Sequence, residues 1–275
     1  MNKKKVAKTT KKKSNKSGIN KTNNYKSINI FLAILGILIF VMAVIIYKNY
    51  KNNQLVKEEI NKDFSFFYIP DNYSVWGIDI SKYQGNINWN EVVETNKDDN
   101  SISFVFIKST EGLNLKDPNY RKNYIASRKK GIITGTYHFF NPMVDAKQQA
   151  DFFLKNSYYQ KGDLPPVIDI ETGTKLPKKQ IKQGLLKFIK QVESVLHVKP
   201  IIYTNADYYK LRLTPEFDNY PLWVAHYFEK ERPEVNRKWH FWQYADNARI
   251  KGINHKVDVN VFNGELEDLH QLLKQ

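Results

Sequence analysis

Cysteine is absent from the 275 residues. Disulfides and thiolate metal sites are therefore excluded, while the compartment stays open, because exported proteins often do without cysteine. Histidine is scarce, with six in all, and none falls in the His-Glu-x-x-His spacing of a zinc hydrolase. No metal and no cofactor is expected. Acidic residues are missing from 1–27, which hold ten of the lysines behind the net charge of +15. The four lysines of 28–72 cancel four acids, so only +5 falls on the remainder. The basic pI of about 9.5 is thus a property of one end and predicts no nucleic-acid partner. Large apolar residues are also nearly missing from 1–27. Such a segment cannot bury a core and reads as a disordered basic tail.

Charge is then absent from 28–47, twenty residues in which Asn29 is the one polar member. That length spans a bilayer, and a globular helix apolar on all sides is rare. The run is longer than a signal-peptide core, and the bulky, polar Tyr47-Lys48-Asn49-Tyr50 that follows offers no small-x-small cleavage site. The reading is an uncleaved, single-pass signal anchor in the cell membrane. The lysines hold the N-terminus in the cytoplasm, which puts everything after Tyr47 outside, in the periplasm or cell wall. Residues 48–72 form a polar linker with an aromatic patch at Phe64, Phe66, Phe67 and Tyr68 that is a candidate to pack on the domain.

From 73 to 275 apolar strands alternate with amphipathic helices. Strands are predicted at 75–80, 102–108, 132–140, 167–171, 200–204, 221–227, 239–244 and 257–261. Helices are predicted at 89–95, 118–130, 144–156, 177–196 and 265–273. Eight strands alternating with helices favour an α/β fold of the (β/α) barrel type, TIM-like but irregular, over an open doubly wound sheet.

The stretch 164–173 (LPPVIDIETG) carries the chemistry. Two prolines block a preceding helix, and Val167, Ile168 and Ile170 favour a strand. Residues i and i+2 share a strand face, which sets Asp169 and Glu171 about 6–7 Å apart from Cα to Cα. Adjacent carboxylates repel, so one retains its proton. An acid and an anion in one pocket is what glycosidic cleavage needs. Barrel chemistry sits at the C-terminal strand ends. There the other strands offer Asp79 with Ser81 and Gln84, Lys108, Tyr137 and His138, Tyr203, Tyr227, Trp242 and Gln243, and Asp258 with Asn260. Four carboxylates on one face are costly unless they are used.

The segments GIDIS (77–81) with YQG (83–85), FVFIKSTEG (104–112), GTYHF (135–139), DIE (169–171), LWVAHY (222–227), WQY (242–244) and VDVN (257–260) resemble, in order, glycoside hydrolase family 25, the Chalaropsis-type lysozymes. Ser109 stands where that pattern has alanine more often. The resemblance implies an irregular (β/α) barrel and an N-acetylmuramidase that cuts the β-1,4 bond between N-acetylmuramic acid and N-acetylglucosamine in peptidoglycan. It implies Glu171 as general acid, Asp169 assisting the substrate's 2-acetamido group, and Asp79 and Asp258 lining the same pocket to tune the pair. Tyr83, Gln84, Lys108, Tyr137, His138, Tyr203, Tyr227, Trp242 and Gln243 are the expected substrate contacts. The expected partners are peptidoglycan strands and, through 28–47, the membrane; a monomer is expected. A non-catalytic glycan-binding barrel and a glycosidase of other specificity are the alternatives. The chitinase pattern D-x-x-D-x-D-x-E is not met, since Val167 lies two positions before Asp169.

Overall fold

The computed structural model describes residues 21–62, 69–94, 101–227 and 229–275. The basic tail up to residue 20 and the aromatic patch at Phe64, Phe66, Phe67 and Tyr68 lie outside the described residues. Two compact units divide the chain, Met1–Lys62 and Asp63–Gln275. The first contains helix α1, Lys21–Lys62, of 42 residues. Within it, Asn29–Lys51 has a mean hydropathy of 3.1, long and apolar enough to cross a membrane. Its apolar side chains find no core: Phe31, Phe40 and Ile46 are each more than half exposed. The helix continues past the apolar run into the polar residues 52–62, where part of a linker was expected.

The second unit is an irregular β/α barrel. In chain order it comprises β1 (Trp76–Ile80), a 3-10 turn (Lys82–Gln84), α2 (Trp89–Glu94), β2 (Phe104–Glu111), β3 (Leu115–Lys116), α3 (Tyr120–Lys129), β4 (Ile133–Phe139) and α4 (Ala146–Asn156). Then follow β5 (Val167–Asp169), α5 (Lys178–Leu196), β6 (Ile201–Asn205), α6 (Ala206–Tyr208), β7 (Leu222–Ala225), β8 (Phe241–Ala248), β9 (Val257–Phe262) and α7 (Leu266–Gln271). The strand order is β1-β9-β8-β7-β6-β5-β4-β2, with β3 hairpinned onto β2 and a β1–β2 pairing that closes the ring. Strands β1, β2 and β4 to β8 run parallel, whereas β9 is antiparallel to both its neighbours. The reversal has a simple cause. Only residues 249–256 separate β8 from β9, and a parallel crossover takes about a dozen residues or more. Such a short link can only turn back.

Strand alternation divides the core into two layers. Val75, Phe104, Phe106, Val167, Ile201, Tyr203, Trp223, Ala225 and Phe241 point into the barrel. Their neighbours Ile78, Val105, Ile107, Ile168, Ile202, Val224 and Trp242 point outward. There they meet the apolar stripe of α5 (Ile181, Leu185, Phe188, Ile189 and Val192) and Ala150 and Phe153 of α4. The interior is closed by aromatic rings. Phe106 stacks on Trp223 at 4.4 Å and meets Phe104 and Phe241 edge-on at 5.6 and 5.1 Å. Two glycines make room for them. A Cβ on Gly77 would stand 2.3 Å from the Phe104 carbonyl oxygen, and one on Gly135 2.4 Å from the Phe106 ring. This plug makes the barrel a packed core with room for a site only where its wall rises past the rings.

Candidate active site

An open pocket of about 220 Å³ lies beyond the plug and brings Asp79, Asp169, Glu171 and Asp258 together. Three of the four stand at or near C-terminal strand ends. Asp258 comes from the opposite end of its strand: β9 is reversed, so its second residue lands beside the fourth of β1, and Asp79 and Asp258 are direct cross-strand partners. The expectation that every site residue leaves a strand C-terminus is corrected at that one position.

Asp169 is the last residue of β5 and is buried. Glu171 lies two residues on, past the strand end and half-buried, so the pair shares the pocket without sharing a strand. Ile170, between them, anchors the bend by donating its N–H to the Tyr203 carbonyl at 2.9 Å. Asp169 Oδ1 is buried and accepts no hydrogen bond from a described residue. Burial, and then the charge of Glu171, pushes the Asp169 carboxyl well above the usual carboxylate range, against the opposing pull of Lys108. Burial, and then the charge of Asp79, raises Glu171 as well, again against Lys108. The Lys108 ammonium is fixed by Glu111 at 2.7 Å and lies 4.7 Å from the centre of the Phe139 ring.

Asp79 is the hub of the opposite wall. Its Oδ1 accepts from Gln243 Nε2 and from Asn260 Nδ2, both at 2.8 Å. Gln243 Oε1 accepts in turn from the phenols of Tyr203 at 2.7 Å and Tyr227 at 2.6 Å. Asn260 Oδ1 accepts from Trp223 Nε1 at 2.8 Å. Asp79 and Asp258 are both raised, chiefly by burial, and the charge of Asp79 raises Asp258 further. Burial likewise raises the phenols of Tyr137 and Tyr203 and keeps them neutral donors.

The expected substrate contacts divide into three groups. Tyr83, Lys108, Tyr137 and Tyr203 line the pocket, with Tyr83 at its rim, 71% exposed under Lys82 Nζ. Gln84 and Gln243 also line it, with their polar groups engaged within the protein, and Tyr227 is not in its lining and meets the site through its bond to Gln243. Gln84 Oε1 accepts from Ser81 N at 2.8 Å and its Nε2 donates to Lys256 O at 2.9 Å, tying the 3-10 turn to the chain that leads into Asp258. His138 and Trp242 do not reach the pocket. His138 is fully buried behind the wall, with Nδ1 2.8 Å from Thr110 Oγ1 and its ring stacked 5.0 Å from Phe188. Burial lowers its pKa to about 3, so it is a neutral core residue. Trp242 donates Nε1 to the His226 carbonyl at 2.8 Å and packs among Tyr73, Trp239 and Tyr244. In both cases the inward neighbour, Tyr137 or Gln243, holds the site position and the next residue along the strand must face out.

Phe139 and Trp223 line the pocket although neither was expected to. The signal was present in the sequence: Phe139 is two residues from Tyr137, and Trp223 two before Ala225 on an inward-facing register. Ser109 sits in a β-bulge between Lys108 and Thr110 and donates its hydroxyl to the Tyr137 carbonyl at 3.0 Å. Among the described residues no group of His, Cys, Asp and Glu is arranged to hold a metal ion.

The family model described as glycosyl hydrolases family 25 matches residues 78–253. The uncharacterized protein YegX of Escherichia coli is 37% identical over 256 residues, covering 89% of this chain and 93% of YegX. Lysozyme M1 of Streptomyces globisporus is 34% identical over 210 residues, covering 70% of this chain and 69% of that enzyme. The crystal structure of the bacterial lysozyme from Streptomyces coelicolor superposes with a TM-score of 0.66 at 33% identity, over 74% of this chain and 98% of that one.

Proposed function

Because the chain belongs to glycosyl hydrolase family 25, we propose that it is a lysozyme that hydrolyses the β-1,4 bond between N-acetylmuramic acid and N-acetylglucosamine in peptidoglycan, with Glu171 as general acid and Asp169 assisting the substrate's 2-acetamido group. The observation that carries the reading is the buried, undonated Oδ1 of Asp169 beside a second carboxyl whose pKa is raised. An acetamido N–H is a donor of the kind that oxygen lacks. Its arrival favours the Asp169 carboxylate, because a hydrogen bond to the charged form lowers a pKa. Ionisation of Asp169 is thereby tied to substrate binding.

In the first step Glu171 gives its proton to the glycosidic oxygen, and the C1–O bond breaks. The acetamido carbonyl oxygen closes on C1, and Asp169 stabilises the positive charge that develops on the acetamido group. In the second step Glu171, now a carboxylate, takes a proton from water, whose oxygen opens the ring at C1. Two displacements at one carbon return the original anomeric configuration. Asp79, ionised, faces Glu171 and helps it keep the proton it must donate. Tyr83 at the rim is a stacking surface for a sugar ring.

Digestion of purified peptidoglycan by the full chain in detergent, with mass spectrometry of the products, tests the activity. New reducing ends on N-acetylmuramic acid are expected. Reducing N-acetylglucosamine ends would move the chain to another specificity, and no cleavage would leave a glycan-binding barrel.

We further propose that α1 is a signal anchor at 28–47, with the lysine-rich end in the cytoplasm and the barrel outside the membrane. The apolar run and the one-sided lysines support this. Protease added to right-side-out spheroplasts is expected to degrade the barrel. Full protection of the barrel would reject the topology.

A further inference from the structure

We propose that Gln243 and Asn260 are positioning residues that decide where charge and proton lie in the Asp79–Asp258 pair, making Asp79 the anion and leaving the shared proton on Asp258. The two carboxyl groups are cross-strand partners on the β1–β9 ladder, and Gln243 Nε2 reaches both, at 2.8 Å and 3.4 Å. One proton between two such groups could rest on either. The amide network breaks the tie. Side-chain amide orientation follows from hydrogen bonding, and Asn260 is the amide whose orientation is fixed from behind. The phenols of Tyr203 and Tyr227 donate to Gln243 Oε1, which leaves its Nε2 for the carboxylates. The Trp223 indole N–H is a donor only, so Asn260 Oδ1 must face it and Nδ2 must face Asp79. Both donors converge at 2.8 Å on one oxygen, Asp79 Oδ1. Among the described residues, Asp258 receives only a 3.4 Å contact, from Gln243 Nε2. Donors favour the charged form of whichever carboxyl they reach. The remaining proton is left to Asp258, whose hydroxyl donates to Asp79.

The surrounding charges do not undo this choice. Lys108 and Glu111 of β2 neutralise one another. Asp246 presses on Asp258 and favours its neutral form. Tyr137, Tyr203 and Tyr227 are held neutral by burial. The consequence for the reaction rests on the lysozyme reading: a charge fixed on Asp79 raises the Glu171 carboxyl and helps keep it protonated. Gln243 and Asn260 then serve catalysis without touching the sugar.

The test is an infrared pH titration of the full chain in detergent, labelled with carboxyl-13C aspartate. The signal of the pair is isolated by subtracting the Asp79→Asn, Asp258→Asn double variant. Two carboxyl steps are expected. Asn260→Ser removes a donor that reaches Asp79 alone. It should raise the lower step by about one pH unit, the size of one lost charge-assisted hydrogen bond, and leave the upper step in place. Gln243→Met should act in the same direction and serves if Asn260→Ser does not fold. A rise of the upper step with the lower unmoved would put the anion on Asp258 and overturn the proposal. Two unmoved steps would reduce both amides to structural supports and overturn it equally. No substrate enters the measurement, so a chain that failed to cleave peptidoglycan would sink the lysozyme reading and leave this result standing.

Discussion

Glu171→Gln is expected to lower turnover on peptidoglycan by about 10²–10⁴-fold, the contribution of a placed proton donor, with KM close to that of the wild type. Glutamine keeps the size and hydrogen bonding of glutamate but has no proton to give to the leaving oxygen. An aryl glycoside whose phenolate departs unprotonated does not need that proton, so the variant should recover the bond-breaking step there, read as phenolate release, while the second step still lacks its base. The pH profile carries the same information. Burial and the Asp79 charge hold the Glu171 carboxyl above its ordinary range. The acid form persists to higher pH than for a free glutamate, and activity falls as pH rises through the raised value. In the variant that alkaline limb should vanish on the aryl substrate. Cleavage of peptidoglycan by folded Glu171→Gln at close to the wild-type rate would remove Glu171 from the role of acid.

Much of this site is legible in the sequence, for identifiable reasons. Asp79, Asp169 and Glu171 follow short apolar runs that could be little else than strands, Asp258 opens one, and a barrel sends strand ends to one face. Asp79, Asp169, Glu171 and Asp258 do meet in one pocket. The direction of β9 was less visible. Composition reads the same for a parallel and an antiparallel strand, and the reversal shows only once β8 is seen to run on to Ala248, which shortens the link to eight residues. Reversal left the meeting point intact because Asp258 lies near the start of a short strand. A longer approach to β9 would have carried it away.

His138 and Trp242 show where strand-end reasoning fails. Both stand within a residue of the true site positions, and both are of types that bind sugars. The side-chain period of two sends them through the wall instead, into the layer packed against the helices and Trp239. The inward register was recoverable from Gly77 and Gly135, which must face the crowded interior. Counting by twos from Gly135 reaches Tyr137 and Phe139 and passes over His138. The second failure concerns engagement. Gln84 and Gln243 reach the site as expected, yet each has both ends of its amide bound to protein atoms. A sequence names the donor but not its partner, because the partners come from strands far apart in the chain.

Asp169→Asn should be as damaging to turnover as loss of the acid, and should make the barrel more stable. The two effects share one cause. Asp169 is buried, and its Oδ1 receives no hydrogen bond from a described residue. In the folded protein its pKa stands well above the ordinary carboxylate range, chiefly through burial and then through Glu171. In the unfolded chain it lies at about 4. Between those values the native state binds more protons than the unfolded state, so stability falls as pH rises across the window. Asparagine has no proton to lose. The variant and the wild type should therefore melt together below about pH 4, and the variant should melt progressively higher as pH rises through the window. Catalysis moves the other way. Asparagine offers no negative charge to the acetamido group as its positive charge develops, and loss of one such preorganised electrostatic contact costs about 10²–10³-fold in turnover. No change of leaving group restores that charge, so the aryl glycoside that rescues Glu171→Gln should rescue Asp169→Asn far less. A variant that melted at or below the wild-type temperature at every pH would mean that the buried carboxyl is compensated in the resting barrel. Asp169 would then be a structural anion, and the donor its Oδ1 awaits would have to be sought within the protein instead of on the sugar.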